Sequence, residues 1–214
     1  EKMTTPASLK TFKKTRPGVT YTHFQVFGPF NTGTNAMGRF VTSHFDITEI
    51  KRKTRNRHAI TGTNGGKFDL WKHTLSVSKR LKNALYASPR TLKIVMMKDP
   101  VFWLKSCRRH PYDLKGQKLL KGPLTMPGAP REYRNIFDLW RAYSNLYLGN
   151  PFFEFDTVLI RSEDFIHDQE GVYNFLKRHI SVRKRFTPLE KGKGGGKTLS
   201  ESKRYYTDSN RIKI

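Results

Sequence analysis

The chain has 214 residues, 36% of them hydrophobic, and a net charge of +24 from 41 Lys and Arg against 17 Asp and Glu. That length suits one α/β domain with a sizeable core, and no apolar run approaches the ~18 residues of a membrane-spanning helix. The single cysteine, Cys107, excludes an internal disulfide. The charge predicts attraction to polyanions without choosing among nucleic acid, acidic polysaccharide, a membrane surface and a phosphorylated nucleotide.

Residues 1–20 carry Lys, Thr and Pro without periodicity and read as an arm leading into the first strand. The chain starts at Glu1, not Met, and reads as trimmed, so a signal or anchor ahead of it is compatible with the sequence. His23 to Phe27 is a short apolar and aromatic run suited to a buried strand. Gly28-Pro29 breaks it, Thr32-Gly33-Thr34 makes a tight turn, and Thr34 is set to cap a following helix. Ala36, Met37, Phe40 and Val41 recur at spacings of three and four, the apolar face of that helix.

A strand, a Gly-rich loop and a helix start bring free N–H groups and the positive end of a helix dipole together on an anion. Gly28 and Gly33 are separated by four residues, as in GxxxxGK[ST], but Thr34 and Asn35 follow where Lys and Ser or Thr belong. The lysine for the β/γ-phosphates and the hydroxyl for Mg²⁺ are displaced or missing. The loop therefore reads as an anion site not built for ATP or GTP hydrolysis; an ordinary strand-turn-helix corner is the other reading.

Residues 51–67 are basic and then Gly-rich, a surface loop with a turn at Thr61 to Gly66, followed by a short strand from Lys67 to Trp71. Helical spacing runs from Ser76 to Tyr86, and Leu92 to Met97 reads as a central buried strand. Asp99-Pro100 opens a helix to about Arg109, with Asp99 as cap and Pro100 at its first position. Residues 110–134 form a long loop rich in Pro, Gly and Lys. Ile136 to Leu148 is an amphipathic helix with core aromatics, Phe155 to Ile160 a buried strand, and Glu163 to Ile180 largely a helix. Residues 183–204 return to Lys and Gly around Lys191, Lys193 and Lys197. Alternating strands and helices predict a three-layer α/β fold with a central, mostly parallel sheet flanked by helices.

Three further stretches join the loop. Lys98-Asp99-Pro100 is followed by Ser106 eight residues after Lys98; Leu70 to Thr74 reads LWKHT; Arg161 to Phe165 reads RSEDF at a strand end. In this order, over roughly residues 23–197, the chain resembles the PAPS-dependent sulfotransferases. The resemblance implies a P-loop-like nucleotide-binding fold and transfer of a sulfuryl group from PAPS, with PAP as product and no metal. Asn31, Thr32, Gly33, Thr34 and Asn35 would surround the 5′-phosphosulfate. Lys98, where the family usually has Arg, would bind the 3′-phosphate with Ser106. Lys191, Lys193 and Lys197 would close over it from the segment 183–214, within a single domain over 1–214. His73 would be the catalytic base and Lys72 a catalytic cation.

The chain departs from the family at three further places. Asn31 stands where the loop usually has Lys or Arg, which makes Lys72 the candidate for that charge. Ala36 stands where members acting on small molecules often carry an adenine-stacking Trp. His73 directly follows Lys72, whereas that branch reads Lys-Thr-His, and one residue of slip on a strand reverses the side.

The chemistry suits these residue types, because in-line transfer of an anionic group needs positioning and charge stabilisation, which backbone amides, Asn and Lys supply without a metal. A histidine is the natural base for an acceptor hydroxyl near neutral pH. The implied partner is a hydroxyl or amine acceptor, with a glycan or another large or anionic molecule favoured by the charge and the 110–134 loop. No specific nucleic acid is expected, and the compartment, cytoplasm or Golgi lumen, stays open.

Blander roles stand beside these. His73 also fits a structural strand end, Lys98 a surface cation, Lys51 to Arg57 a solvated face, Glu163 a helix-start carboxylate, and Cys107 an inert packing residue. Two other functions remain: a basic nucleic-acid-binding domain, although no recognised module appears, and a P-loop nucleotide kinase, against which the missing loop lysine argues.

Overall fold

The computed structural model describes residues 13–16, 18–50, 73, 75–77, 79–86, 90–126, 129–190, 200–201 and 203–204. Among them five strands form one sheet: β1 (Lys13–Lys14), β2 (His23–Phe27), β3 (Thr48–Glu49), β4 (Thr91–Met97) and β5 (Thr157–Arg161). Their order is β1-β5-β4-β2-β3, with β2 to β5 all parallel and β1 antiparallel to β5. The helices are α1 (Thr34–His44), α2 (Lys79–Tyr86), α3 (Pro100–Arg109), α4 (Ile136–Gly149), α5 (Ser162–His167) and α6 (Gln169–Leu176).

Strand β4 is the apolar run at the centre, and its period of two divides the core. Leu92, Ile94 and Met96 join Met37, Phe40 and Val41 of α1, Phe165 of α5 and Leu176 of α6. Val95 and Met97 join Trp103 and Cys107 of α3 and Tyr143 and Tyr147 of α4. Helices thus cover both faces of the sheet, the three-layer α/β arrangement read from the sequence. No helix among the described residues is long and apolar enough to cross a membrane.

The helix opened by Asp99 forms as expected: its Oδ1 accepts from the N–H groups of Val101 (2.9 Å) and Phe102 (3.2 Å). Other expectations need correction. Gly33 and not Thr34 occupies the N-cap of α1, with a left-handed backbone and no side-chain cap; Thr34 is already helical. The arm within 1–20 contains the edge strand β1, and β3 follows α1; both are two residues long, too short to show periodicity. Helix α2 starts at Lys79, three residues after Ser76. The segment from Glu163 to Ile180 breaks at Asp168, which leaves helical geometry and caps α6 by accepting from Gly171 N at 2.7 Å. Phe155 is 59% exposed ahead of β5, because left-handed Asp156 (φ 52°) turns the chain there. Of the α4 aromatics, Tyr143 and Tyr147 are core, but Phe137 is 40% exposed. The loop 51–67, the turn at 61–66 and the strand at 67–71 lie outside the described residues.

Helix α4 carries a charge cluster that fastens the 110–134 loop. Asp138, in its first turn, accepts from Arg131 Nη1 (3.0 Å), Arg141 Nη2 (2.9 Å) and Arg134 N (3.1 Å). The Arg131 bond, helped by the other two against the cost of burial, holds the Asp138 carboxyl well below the usual carboxylate range. The folded value lies below the unfolded one, so this stabilisation is complete above about pH 4 and is lost as pH falls through the folded value. Asp138→Asn is expected to cost about 1–2 kcal/mol at pH 7 and to flatten the acid limb of a stability-versus-pH curve. An unchanged acid limb would rule the cluster out as its source.

Candidate functional site

Strand β2 lies between β3 and β4, and β4 lies between β2 and β5. After β2 the chain therefore goes first to one side of the sheet and later to the other. In open parallel sheets such a reversal opens a crevice beyond the carboxyl ends of the two strands. Three segments end there: the turn 28–33 after β2, Lys98-Asp99 after β4, and Ser162-Glu163 after β5.

The turn is tightly determined. A side chain at Gly28 (φ 149°) would collide with the Met96 carbonyl and come within 2.9 Å of Thr32 Oγ1. Gly28→Ala is therefore expected to cost about 1–3 kcal/mol, as overpacking does, read from urea midpoints; a change below about 0.5 kcal/mol would show that the close approach is not required. Asn31 is left-handed (φ 63°), as is Gly33 (φ 83°). Thr32 Oγ1 donates to Pro29 O at 2.6 Å, and the Trp103 indole donates to Phe30 O at 2.6 Å. Ser162 Oγ lies 2.7 Å from Thr32 O and 2.9 Å from Met97 O, stapling the turn to the end of β4. The turn delivers the chain into α1 without a side-chain cap. First-turn amides have no acceptor within the helix and carry the positive end of its dipole.

Lys98 reaches this turn from β4. Its Nζ donates to Asn31 O (3.1 Å) and to Ser106 Oγ (2.9 Å), with the residue only 8% exposed. The eight-residue step works because Ser106 stands on the second turn of α3, facing back along the helix; its own Oγ donates to Phe102 O at 2.9 Å. The Trp140 indole donates to Lys98 O (2.8 Å), and Asp99 N donates to Glu163 Oε1 (3.0 Å), so the main chain on both sides of the lysine is fixed. Glu163 is the helix-start carboxylate of α5, and burial pushes its carboxyl above the usual range although Lys98 and Arg161 pull the other way.

His73 meets the turn at its first residue. Its Nδ1 is 2.6 Å from Gly28 O, and a carbonyl can only accept, so Nδ1 carries the proton and the basic lone pair falls on Nε2. Tyr143 donates to His73 O (3.0 Å), and the ring meets Phe30 edge-on at 6.4 Å.

The structure thus brings together Asn31, Thr32, Gly33, Thr34, Lys98 and Ser106, with His73 joined through Gly28. Asn35 is exposed on the first turn of α1. Two of these residues contribute main chain and not side chain: the Thr32 hydroxyl is bonded to Pro29, and Asn31 Nδ2 donates to His110 O (2.9 Å), near Cys107 Sγ (3.8 Å). Lys72, Lys191, Lys193 and Lys197 lie outside the described residues. Cys107 is fully buried, and burial pushes its thiol up to about 12, which suits packing and not reactivity. Among the described residues no group of three or more His, Cys, Asp or Glu could hold a metal. Sequence reasoning missed the supports: Ser162, Trp103 and Trp140. Of these only Ser162 carried a signal, its place in the strand-end RSED stretch.

No protein-family model matches the chain, and no curated protein sequence does.

Proposed function

We propose that the chain is a sulfotransferase that moves a sulfuryl group from PAPS to a hydroxyl or amine acceptor on a P-loop-like nucleotide-binding fold. The observation that carries this reading is the meeting, at the switch point, of two elements whose chemistry suits an anion. The turn with the uncapped start of α1 is one, and the Lys98–Ser106 pair is the other, joined by the 3.1 Å bond from Lys98 to Asn31 O. A nucleotide with phosphates at both its 5′ and 3′ positions needs two such holds a short distance apart.

The donor set fits that group. Backbone amides at a helix start suit a terminal phosphosulfate, and a buried ammonium beside a hydroxyl suits a phosphate. PAPS, when bound, supplies the sulfuryl group on its 5′-phosphate. The first-turn amides of α1 orient it and balance charge that spreads over the transferring oxygens. His73 takes the acceptor hydroxyl proton on Nε2 while Nδ1–H stays on Gly28 O, which keeps the ring from rotating. Lys98 replaces the usual arginine with a point charge, so its hold on a phosphate is less directional.

Thermal melting with adenosine 3′,5′-bisphosphate tests this. At a hundred times its Kd a ligand adds about 2.7 kcal/mol, roughly 5–10 °C for a domain of this size. No shift at millimolar nucleotide would count heavily against the reading. Turnover of Mg-ATP would favour a kinase, and sequence-selective nucleic-acid binding would favour the basic binding domain.

A further inference from the structure

We infer that the segment 107–121 is the acceptor-binding wall, and that it takes an acidic oligosaccharide: sugar rings on Tyr112, carboxylates on Arg108, Lys118 and Lys121. This rests on the sulfotransferase reading and names the acceptor class for that same site.

The segment carries five Lys and Arg against one Asp. It frames an open cavity of about 480 Å³ lined by Cys107, Arg108, Pro111, Leu114, Lys118 and Lys121. Arg108, Lys118 and Lys121 are exposed, and among the described residues none of them pairs with a carboxylate. Three unpaired cations around one cavity form a receptor for a multiply anionic molecule.

The cavity is tied to the proposed transfer site. Asn31 of the turn donates to His110 O, within the segment. Tyr112 is 64% exposed and left-handed (φ 47°), costly for a bulky residue. Its ring meets Phe30 at 6.2 Å, and Phe30 in turn meets Trp103 at 5.4 Å and His73 at 6.4 Å. The strained backbone thus holds an exposed ring one aromatic residue away from the proposed base. A flat apolar face with a polar tip, next to cations, matches a ring that has an apolar face and charged substituents. An extended acidic peptide would use the cations but has no comparable need for the ring.

The test uses the full chain saturated with adenosine 3′,5′-bisphosphate and isothermal titration calorimetry. The probes are a hexasaccharide of alternating uronic acid and amino sugar, its carboxyl-reduced counterpart, and a hexaglutamate peptide. The carboxylated sugar is expected to bind at least about tenfold tighter than the reduced one, the scale of a few partly exposed ion pairs. It is also expected to bind tighter than the peptide.

The triple variant Arg108→Gln, Lys118→Gln, Lys121→Gln is expected to lose about tenfold for the sugar, and Tyr112→Ala a similar factor, with nucleotide affinity unchanged. Removing two cations just after α6, by Lys177→Gln and Arg178→Gln, is expected to have no such effect. Equal binding of the sugar and its reduced form, preference for the peptide, equal weakening by the control variant, or no sugar binding to nucleotide-loaded protein each overturns the inference while the sulfotransferase reading stands. Absence of nucleotide binding itself would overturn both.

Discussion

Lys98→Met is expected to weaken adenosine 3′,5′-bisphosphate about a hundredfold and to leave folding stability nearly unchanged. The two effects separate because a buried ammonium is costly to the fold but valuable to a bound phosphate. Its Nζ donates to neutral oxygens of Asn31 and Ser106, and an apolar chain of similar length escapes the penalty of several kcal/mol for taking an ion out of water. Loss of the donor to Asn31 O costs about 1 kcal/mol. A bound phosphate, by contrast, loses a charge-assisted hydrogen bond in a partly desolvated site, about 2–3 kcal/mol or roughly a hundredfold. Lys98→Arg is expected to retain most of the affinity. If Lys98 were structural, Lys98→Met would lower the melting point strongly and the folded fraction would bind nucleotide as before.

If the proposed reading holds, His73→Ala reduces sulfuryl transfer by about 10²–10⁴-fold, the usual contribution of a positioned base, with nucleotide affinity within about twofold. His73→Asn separates two roles of the ring. An Asn amide can still donate towards Gly28 O, but it has no basic lone pair at the Nε2 position. Equal loss of binding and turnover in both variants would make His73 a support of the Gly28 turn and move the base elsewhere. Recovery of turnover in His73→Asn would point the same way.

The parts of this molecule legible from the letters were those dictated by strong local physics. The apolar run of β4, the cap and proline opening α3, and the strand-turn-helix from His23 into α1 are each dominated by burial, capping or turn chemistry within a few residues. The Lys98–Ser106 pair was legible through the family resemblance, whose eight-residue step from a strand end into the next helix this chain repeats. The illegible parts depend on distant partners. Two-residue strands β1 and β3 exist only through neighbours in the sheet. The break at Asp168 lay within a plausible helical pattern, because Asp caps one helix as readily as it ends another.

At the site, the letters named residues and not the atoms that each turns towards its neighbours. Asn31 and Thr32 were read as surrounding an anion, and their side chains close the turn on Pro29 O and on His110 O just after α3. The indole of Trp140 was read as core, and it and the Trp103 indole each fix a carbonyl beside the site.

A crystal structure with adenosine 3′,5′-bisphosphate tests the central claim most directly. The expected result has the 5′-phosphate against the amides that open α1 and the 3′-phosphate within hydrogen-bonding distance of Lys98 Nζ and Ser106 Oγ. A nucleotide bound elsewhere, or one phosphate in the turn with the other far from Lys98, would contradict it.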